Sequence, residues 1–160
     1  MIRLFHGSNI RIDVPDLAHS KPYKDFGKGF YLSNDKQQAW EMAFQKVRQT
    51  QIGKAEVSEF LFDETFMNNE DLKVLSFSDY CEEWALFVLA NRDKNSVQPV
   101  HDYDIVYGPI ADDGVTYQLR RYIGGVISLT RLVEELKFSK GITFQYYFGT
   151  ERALKLLHRL

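Results

Sequence analysis

The sequence predicts a single α+β domain over residues 1–160, and three observations support this class. The chain has the length of one ordinary domain, and 44% hydrophobic residues are enough for a core without disulfides. Strand-like segments come in clusters, and the helical segments between them differ in length. A doubly wound α/β sheet would alternate more regularly and carry a glycine fingerprint that opens a helix. The Gly-Lys-Gly at 27–29 precedes a strand instead.

The first half of the chain carries patterns for four strands and one long helix. Strands are predicted, from alternating or continuous apolar residues, over 2–7, 29–33, 55–63 and 72–77. Turn-forming residues predict an irregular connection over 9–28, with room for one short helix. Because long loops in compact domains are usually functional or disordered, this connection is a candidate functional segment. The helix is predicted over 33–50, with Ser33 or Asn34 as its cap.

That helix has an apolar stripe that predicts its buried face. The stripe consists of Ala39, Trp40, Ala43, Phe44 and Val47. In the second half, helices are predicted over 78–92, 128–136 and 150–160, and strands over 103–111 and 142–149. Ser78 or Asp79, Ser128 and Thr150 are the predicted helix caps. The Asp-Asp-Gly at 112–114 predicts a turn.

Composition excludes several classes of protein. With 20 basic and 22 acidic side chains, the chain has no bulk charge to hold nucleic acid, although a local basic groove is compatible with it. The single cysteine, Cys81, excludes a disulfide framework and a cysteine-rich zinc site, and the histidines lack metal-ligand spacing. The N-terminal residues do not form a signal peptide, and no run of 18 apolar residues occurs. We expect a soluble cytoplasmic domain without membrane contact or metal.

Three polar residues stand out as candidates for chemistry. His6 and Tyr31 each lie in a glycine-rich frame, where the backbone can approach a ligand closely. Gln145 is an uncharged polar residue inside an aromatic run where a strand should be apolar. Each also has a purely structural explanation: a strand-end histidine with one hydrogen bond, a core aromatic, and an outward-facing strand residue.

The two glycine-rich stretches resemble known motifs. Leu-Phe-His-Gly-Ser at 4–8, followed by Phe-Gly-Lys-Gly-Phe-Tyr-Leu-Ser at 26–33, closely resembles the first two motifs of ADP-ribosyltransferases of the diphtheria-toxin and poly(ADP-ribose) polymerase type. Most of the chain, including 25–43, 103–113 and 144–157, is similar to a bacterial family of short uncharacterised proteins assigned to that superfamily. The resemblance implies a split, bent β core that grips NAD in a cleft.

The resemblance also implies roles for individual residues. His6 would hydrogen-bond the adenosine or nicotinamide ribose, Gly7 would clamp the carboxamide through its backbone, and Ser8 would add a weaker hydroxyl contact. Tyr31 would stack on the nicotinamide ring. Gly29 would belong to the NAD-binding frame, and Trp40 could supply the opposite wall, although it also suits the core stripe. NAD would be a co-substrate, which agrees with the missing dinucleotide fingerprint.

The third family motif departs from its usual form, because Gln145 stands where the family has a catalytic glutamate. Glutamine accepts a hydrogen bond but carries no charge and is not a base, so polymer elongation is not expected. The resemblance implies a mono-ADP-ribosyltransferase with His6, Tyr31 and Gln145 as its catalytic positions. Glu151 or Glu83 could replace the missing carboxylate, although their spacing does not require it.

Several functions are compatible with these motifs. Analogy with relatives suggests an intracellular toxin with a neighbouring antitoxin protein. The alternative is a pseudoenzyme that binds NAD or ADP-ribose without turnover. An RNA 2′-phosphotransferase ranks below both, because it expects a second histidine and an arginine where this chain has Tyr31 and Gln145. The motifs do not identify the acceptor, and a protein, a nucleic acid and a small molecule are all compatible with them.

Overall fold

The computed structural model describes all 160 residues and contains seven strands in two sheets, with five α-helices. The strands are Ile2–Ser8 (β1), Phe30–Leu32 (β2), Glu56–Phe62 (β3), Val74–Ser76 (β4), Ile105–Pro109 (β5), Phe144–Phe148 (β6) and His158–Arg159 (β7). The helices are Lys36–Thr50 (α1), Glu82–Arg92 (α2), Asp113–Ile123 (α3), Leu129–Lys137 (α4) and Glu151–Leu154 (α5), with a 3₁₀ helix at Glu64–Asn68. The predicted α+β class is confirmed.

The two sheets are connected through one pair of residues. The first sheet has the antiparallel order β1-β3-β7, and the second has the order β2-β6-β5-β4, in which only β4 and β5 are parallel. Phe5 in β1 and Ser33 after β2 exchange two backbone hydrogen bonds of 2.7 and 2.9 Å. Beyond Ser33 the chain leaves the sheet and enters α1, and no other isolated bridge joins the two sheets.

Apolar side chains cover both faces of the second sheet. The face toward the first sheet packs a cluster that includes Leu4, Phe30, Leu32, Phe60, Phe62, Ile105, Tyr146 and Phe148. The opposite face packs against α2, α3 and α4 through Phe26, Trp84, Val88, Val106, Leu119, Leu132, Leu136 and Tyr147. Since successive strand residues point to opposite faces, β2, β5 and β6 contribute to both clusters. The second sheet is therefore buried on both sides.

Helix α1 covers the outer face of β1 through very small side chains. A Cβ atom on Gly7 would lie 1.8 Å from the backbone oxygen of Ala39. Ala39 and Ala43 are buried against this strand, whereas Trp40 and Phe44 are 37% and 52% exposed. The predicted apolar stripe is therefore wrong for the two aromatic residues, because the close helix–strand approach has no room for a ring.

The helix caps differ from the prediction at two helices. Asp35 caps α1 by accepting hydrogen bonds from the backbone of its first turn, one residue beyond the predicted Ser33 or Asn34. Cys81 caps α2 in place of Ser78 or Asp79, with its sulfur 3.4 Å from the backbone nitrogen of Trp84. The predicted caps Ser128 and Thr150 are confirmed.

Two segments fold differently from the prediction. The Asp-Asp-Gly at 112–114 is the start of a helix and not a turn, because Asp112 accepts a hydrogen bond of 2.8 Å from the backbone nitrogen of Val115. The predicted C-terminal helix stops at Leu154, and the chain then pairs with β3 through Arg159. No helix forms in residues 9–28. None of the helices has the length and hydropathy needed to cross a bilayer.

Candidate functional site

His6 lies on β1 with one ring nitrogen fixed by the backbone of β2. Its Nδ1 is 2.7 Å from the carbonyl oxygen of Tyr31, and its ring stacks on Phe30 with centroids 4.3 Å apart. Because a carbonyl oxygen only accepts, Nδ1 must carry the proton, which leaves Nε2 as an acceptor. Burial, together with the charges of Lys46 and Lys24, lowers the pKa of His6 to about 4, so the imidazole is neutral near pH 7.

The free nitrogen of His6 is accessible. Nε2 has no hydrogen-bond partner within the chain, and no buried side-chain nitrogen or oxygen in the structure lacks a partner. The unpartnered Nε2 is therefore not completely buried, although His6 as a whole is only partly exposed. In this tautomer Nε2 can accept a hydrogen bond from a ligand hydroxyl but cannot donate one.

Tyr31 lies on the face of the second sheet opposite to Phe30. Its hydroxyl donates to the carbonyl oxygen of Gly27 at 2.6 Å and accepts from the backbone nitrogen of Phe26 at 3.0 Å. Burial raises the pKa of Tyr31 well above its usual value, so the phenol stays protonated. The hydroxyl is occupied by the loop, and the ring packs against Phe26, with centroids 6.4 Å apart, and edge-on against Tyr147 at 5.3 Å.

A lysine from the long connection covers one face of the Tyr31 ring. The ammonium of Lys24 is 4.9 Å from the ring centroid, within the range of a cation–π contact. Burial and the nearby charges of Lys46 and Lys21 lower the pKa of Lys24. The Tyr31 ring thus interacts with a cation in a region where three lysines lie near one another.

The backbone of Gly7 faces the gap between the sheets. Because Phe5 uses its N–H and C=O on Ser33, strand alternation directs the same groups of Gly7 toward that side of β1. The paired strand β3 lies on the other side, where Gly7 faces Val57. In the antiparallel direction of the Phe5–Ser33 bridge, the peptide groups of Gly7 point toward Tyr31 of β2, with which Gly7 forms no backbone pair, while its missing side chain admits α1.

The remaining predicted NAD-binding residues have structural contacts. Ser8 is buried, with its hydroxyl 3.4 Å from the side-chain oxygen of Asn9. Gly29 lies against the Tyr147 ring, which would be 2.1 Å from an added Cβ, and its backbone bonds to Ser20. Trp40 packs against Phe44 on the exposed side of α1 at 5.9 Å. Packing thus accounts for the glycine at position 29 without a ligand.

Gln145 on β6 lies on the same face of the second sheet as Tyr31. Tyr31 pairs with Tyr147, so Gln145 is its diagonal neighbour across the two strands. The amide nitrogen of Gln145 donates to Oδ2 of Asp25 at 3.1 Å. The amide oxygen has no partner in the chain and, by the same argument as for His6, is accessible.

Asp25 links this strand to a helix. Its Oδ1 accepts from Arg92 Nε at 2.9 Å and from Nη2 at 2.6 Å, and its Oδ2 also accepts from the backbone nitrogen of Ala111 at 3.1 Å. Its side chain is only 12% exposed. Sequence analysis did not identify Lys24, Asp25 or Arg92; the only available signal was the length of the 9–28 connection.

The structure bonds His6 to the main chain of Tyr31, and its ring stacks on Phe30. The side chains of Tyr31 and Gln145 lie on the opposite face of the second sheet, and Ser8, Gly29 and Trp40 make packing contacts. The proposed substitutes Glu83 and Glu151 lie in the first turns of α2 and α5, and neither is bonded to Gln145. A separate groove of about 380 Å³, lined by residues such as Asp13, Glu151 and Arg159, shares no residue with this region. No cluster of side chains suited to a metal ion occurs.

The fold is that of a small α+β protein whose two sheets are joined at one bridge, with His6 bonded to the backbone of β2 and Gln145 bonded to Asp25. The chain belongs to the family described as "Protein of unknown function (DUF3990)", whose profile matches residues 2–159. No curated protein and no solved structure matches the chain.

Proposed function

We propose that the protein is an NAD-dependent mono-ADP-ribosyltransferase that releases nicotinamide and transfers one ADP-ribose unit to an acceptor. The observation that carries the proposal is the bond between His6 and the Tyr31 backbone, 2.7 Å long. It joins the two motifs that resemble the superfamily, fixes the His6 tautomer and leaves an accessible acceptor nitrogen. Ribose hydroxyls are donors of the kind that such a nitrogen binds.

Three further features support NAD as the co-substrate. The accessible oxygen of Gln145 is a second acceptor for a ribose hydroxyl. The peptide groups of Gly7 offer one donor and one acceptor, which are the complements of a carboxamide. The Tyr31 ring binds the ammonium of Lys24 in this structure, and the cationic nicotinamide ring of NAD would replace that ammonium on the same face. Together these groups complement the ribose, the carboxamide and the ring of nicotinamide riboside. None of them requires NAD to act as a redox cofactor.

The reaction requires little covalent chemistry from the protein. The bond between the ribose anomeric carbon and nicotinamide breaks, and its electron pair goes to the nicotinamide nitrogen. The acceptor nucleophile then forms the new bond at that carbon and gives its proton to solvent, since Gln145 is not a base. The proposed roles of His6, Tyr31 and Gln145 are to bind and orient the ribose and the ring. An acceptor that is already a good nucleophile suits this arrangement.

Calorimetry with NAD, followed by chromatography of the mixture for free nicotinamide, tests the proposal. We expect binding and slow nicotinamide release from the wild type, both reduced at least tenfold in His6→Ala and Tyr31→Ala. His19→Ala and Tyr117→Ala are matched controls, because both residues are exposed and should leave these values unchanged. Absence of NAD binding up to millimolar concentration contradicts the proposal.

A binding module without turnover is the second candidate. It is favoured by the environment of the one carboxylate near Gln145: Asp25 uses both oxygens on protein donors, so no free carboxylate stabilises the reacting carbon. NAD or ADP-ribose binding without nicotinamide release, in the presence and absence of a cell extract as a source of acceptor, identifies this function. A role as the toxin of a toxin–antitoxin pair belongs to the transferase proposal and requires turnover.

A further inference from the structure

The carboxylate of Asp25 determines how Gln145 presents its amide. Asp25 Oδ2 is an acceptor only, so the group that faces it at 3.1 Å must be the NH₂ of Gln145. The oxygen of the same amide then points elsewhere, without a donor from the chain. A glutamine that is free to rotate would offer a ligand either end, whereas this one offers only its acceptor.

Asp25 is itself held firmly in place. Arg92 donates two hydrogen bonds to Oδ1, and the backbone of Ala111 donates to Oδ2. Arg92 is in turn bonded to Thr116 of α3 at 3.1 Å. The carboxylate is thus connected to α2, to the residue Ala111 that follows β5, and to β6, all of which lie outside the loop that carries Asp25.

The charge of Asp25 also explains why position 145 holds an amide. A glutamate at that position would place a second carboxylate about 3 Å from Asp25, and like charges at that distance raise the pKa of one of the pair. Arg92 offers one positive charge, which Asp25 already uses. The carboxylate at position 25 therefore requires an uncharged hydrogen-bond donor at position 145.

We infer that Asp25 is a positioning residue for the site, which orients Gln145 so that its oxygen receives a ribose hydroxyl. In this chain the carboxylate belongs to the loop at 25 and the amide to the strand at 145, and the two groups can be exchanged as a pair but not singly. The inference rests on the proposed function for the identity of the hydroxyl. It also has consequences that are independent of NAD.

An exchange of the two groups tests the inference. Gln145→Glu alone should not raise the rate of nicotinamide release, and Asp25→Asn alone should raise the KM for NAD at least fivefold with a smaller effect on kcat. The double variant Asp25→Asn/Gln145→Glu keeps the net charge and should exceed Gln145→Glu at least tenfold in kcat/KM. A rise in activity with Gln145→Glu alone, reduced by adding Asp25→Asn, overturns the inference.

Carbon-13 NMR separates this result from failure of the proposed function, because it requires no NAD. The new carboxyl group at 145 in Gln145→Glu should titrate about one pH unit or more above that in the control Gln98→Glu, which lies in an exposed loop. Adding Asp25→Asn should remove the difference. If the two carboxyl groups titrate alike, the inference is wrong, whatever the outcome with NAD. Since Gln145→Glu leaves the Arg92–Asp25 pair intact, this measurement does not depend on the folding of Asp25→Asn.

Discussion

His6 and Tyr31 are connected by a hydrogen bond of 2.7 Å that runs from the imidazole to the main chain of the tyrosine, not to its side chain. The position of His6 therefore depends on the path of β2 and not on the phenol. Tyr31 uses its own hydroxyl on the loop at Phe26 and Gly27. Because the two residues have separate anchors, substitutions at one should leave the other in place, and their contributions can be measured separately.

The stability of the protein should fall in mild acid because of His6. Burial lowers the pKa of His6 to about 4, whereas an unfolded chain has a histidine pKa near 6.5. Between these values the unfolded state binds more protons, so stability decreases as the pH falls from about 6.5 toward 4. We expect this residue alone to cost about 2 kcal/mol between pH 7.5 and pH 5.

Urea unfolding of the wild type and of His6→Gln at both pH values measures this effect. The variant should lose less stability on acidification, although it starts from a lower value at pH 7.5 because the bond to Tyr31 is weakened. His101→Gln is a useful comparison, since burial also lowers the pKa of His101. Equal acid slopes in the wild type and His6→Gln would show that His6 is not buried as a neutral imidazole.

Tyr31→Phe should destabilise the loop without removing the aromatic surface. The change leaves the backbone nitrogen of Phe26 and the carbonyl of Gly27 without their partner, which typically costs about 1–3 kcal/mol. The ring is retained, so NAD affinity should fall much less than in Tyr31→Ala. Denaturant unfolding and calorimetry give the two quantities. Tyr117→Phe is the control, because Tyr117 is exposed. If Tyr117→Phe loses as much stability as Tyr31→Phe, the hydrogen bonds of the Tyr31 hydroxyl do not explain the loss.

Strand positions were predictable from the sequence because alternation and turn residues mark them locally. β1, β3, β5 and β6 lie within two residues of their predicted ends. Helix α3 was missed because Asp-Asp-Gly suits both a turn and a helix start, and the spacing of Val115 and Leu119 was the signal that could have distinguished them. The short strand β7 forms only by pairing with the edge of β3, and no local sequence pattern predicts that pairing.

The site was only partly predictable for the same reason. His6, Gly7 and Tyr31 stand in motifs that can be recognised in a single sequence. The partners of Asp25 lie 67 and 120 residues away along the chain, at Arg92 and Gln145. Such pairs follow from the tertiary fold, and one sequence without its relatives does not encode them in any spacing.

Gly7 should not tolerate a side chain. In Gly7→Ala the new Cβ would lie 1.8 Å from the Ala39 oxygen and 3.0 Å from the Ala43 nitrogen, and both are backbone atoms that cannot turn aside. Helix α1 must move away from β1, so we expect a loss of about 1–3 kcal/mol or more, up to failure to fold. Differential scanning fluorimetry and urea unfolding check this loss.

The matched control is Gly114→Ala in the first turn of α3. There the nearest atom to the new Cβ is the Asp112 carboxyl oxygen at 3.4 Å, an ordinary contact, and the backbone is helical. Alanine should stabilise this position by about 0.5–1 kcal/mol. Equal free energies of unfolding for Gly7→Ala and Gly114→Ala would show that α1 does not lie this close to β1.

Asp104 should be the most sensitive carboxylate in the chain, because it is fully buried and connects three segments. Its oxygens accept from Thr150 at 2.6 Å, from Arg152, and from the backbone nitrogen of Lys73 at 2.8 Å. Burial alone would raise the pKa of Asp104, but the hydrogen bonds from Arg152, Thr150 and Lys73 lower it below its usual value. The stability that this group contributes is present above pH 4 and is lost as the pH falls through the lowered pKa.

Asp104→Asn should therefore cost about 2–4 kcal/mol near neutral pH, since the ion pair is broken and one amide hydrogen faces the donors of Thr150 and Arg152. Urea unfolding at pH 7 and pH 3 measures both the loss and its pH dependence, and the variant should lose less than the wild type over this interval. Asp102→Asn, at a neighbouring exposed carboxylate paired with Lys73, should stay close to the wild type at pH 7. If Asp104→Asn behaves like Asp102→Asn, then Asp104 does not hold β4 and the start of α5 together.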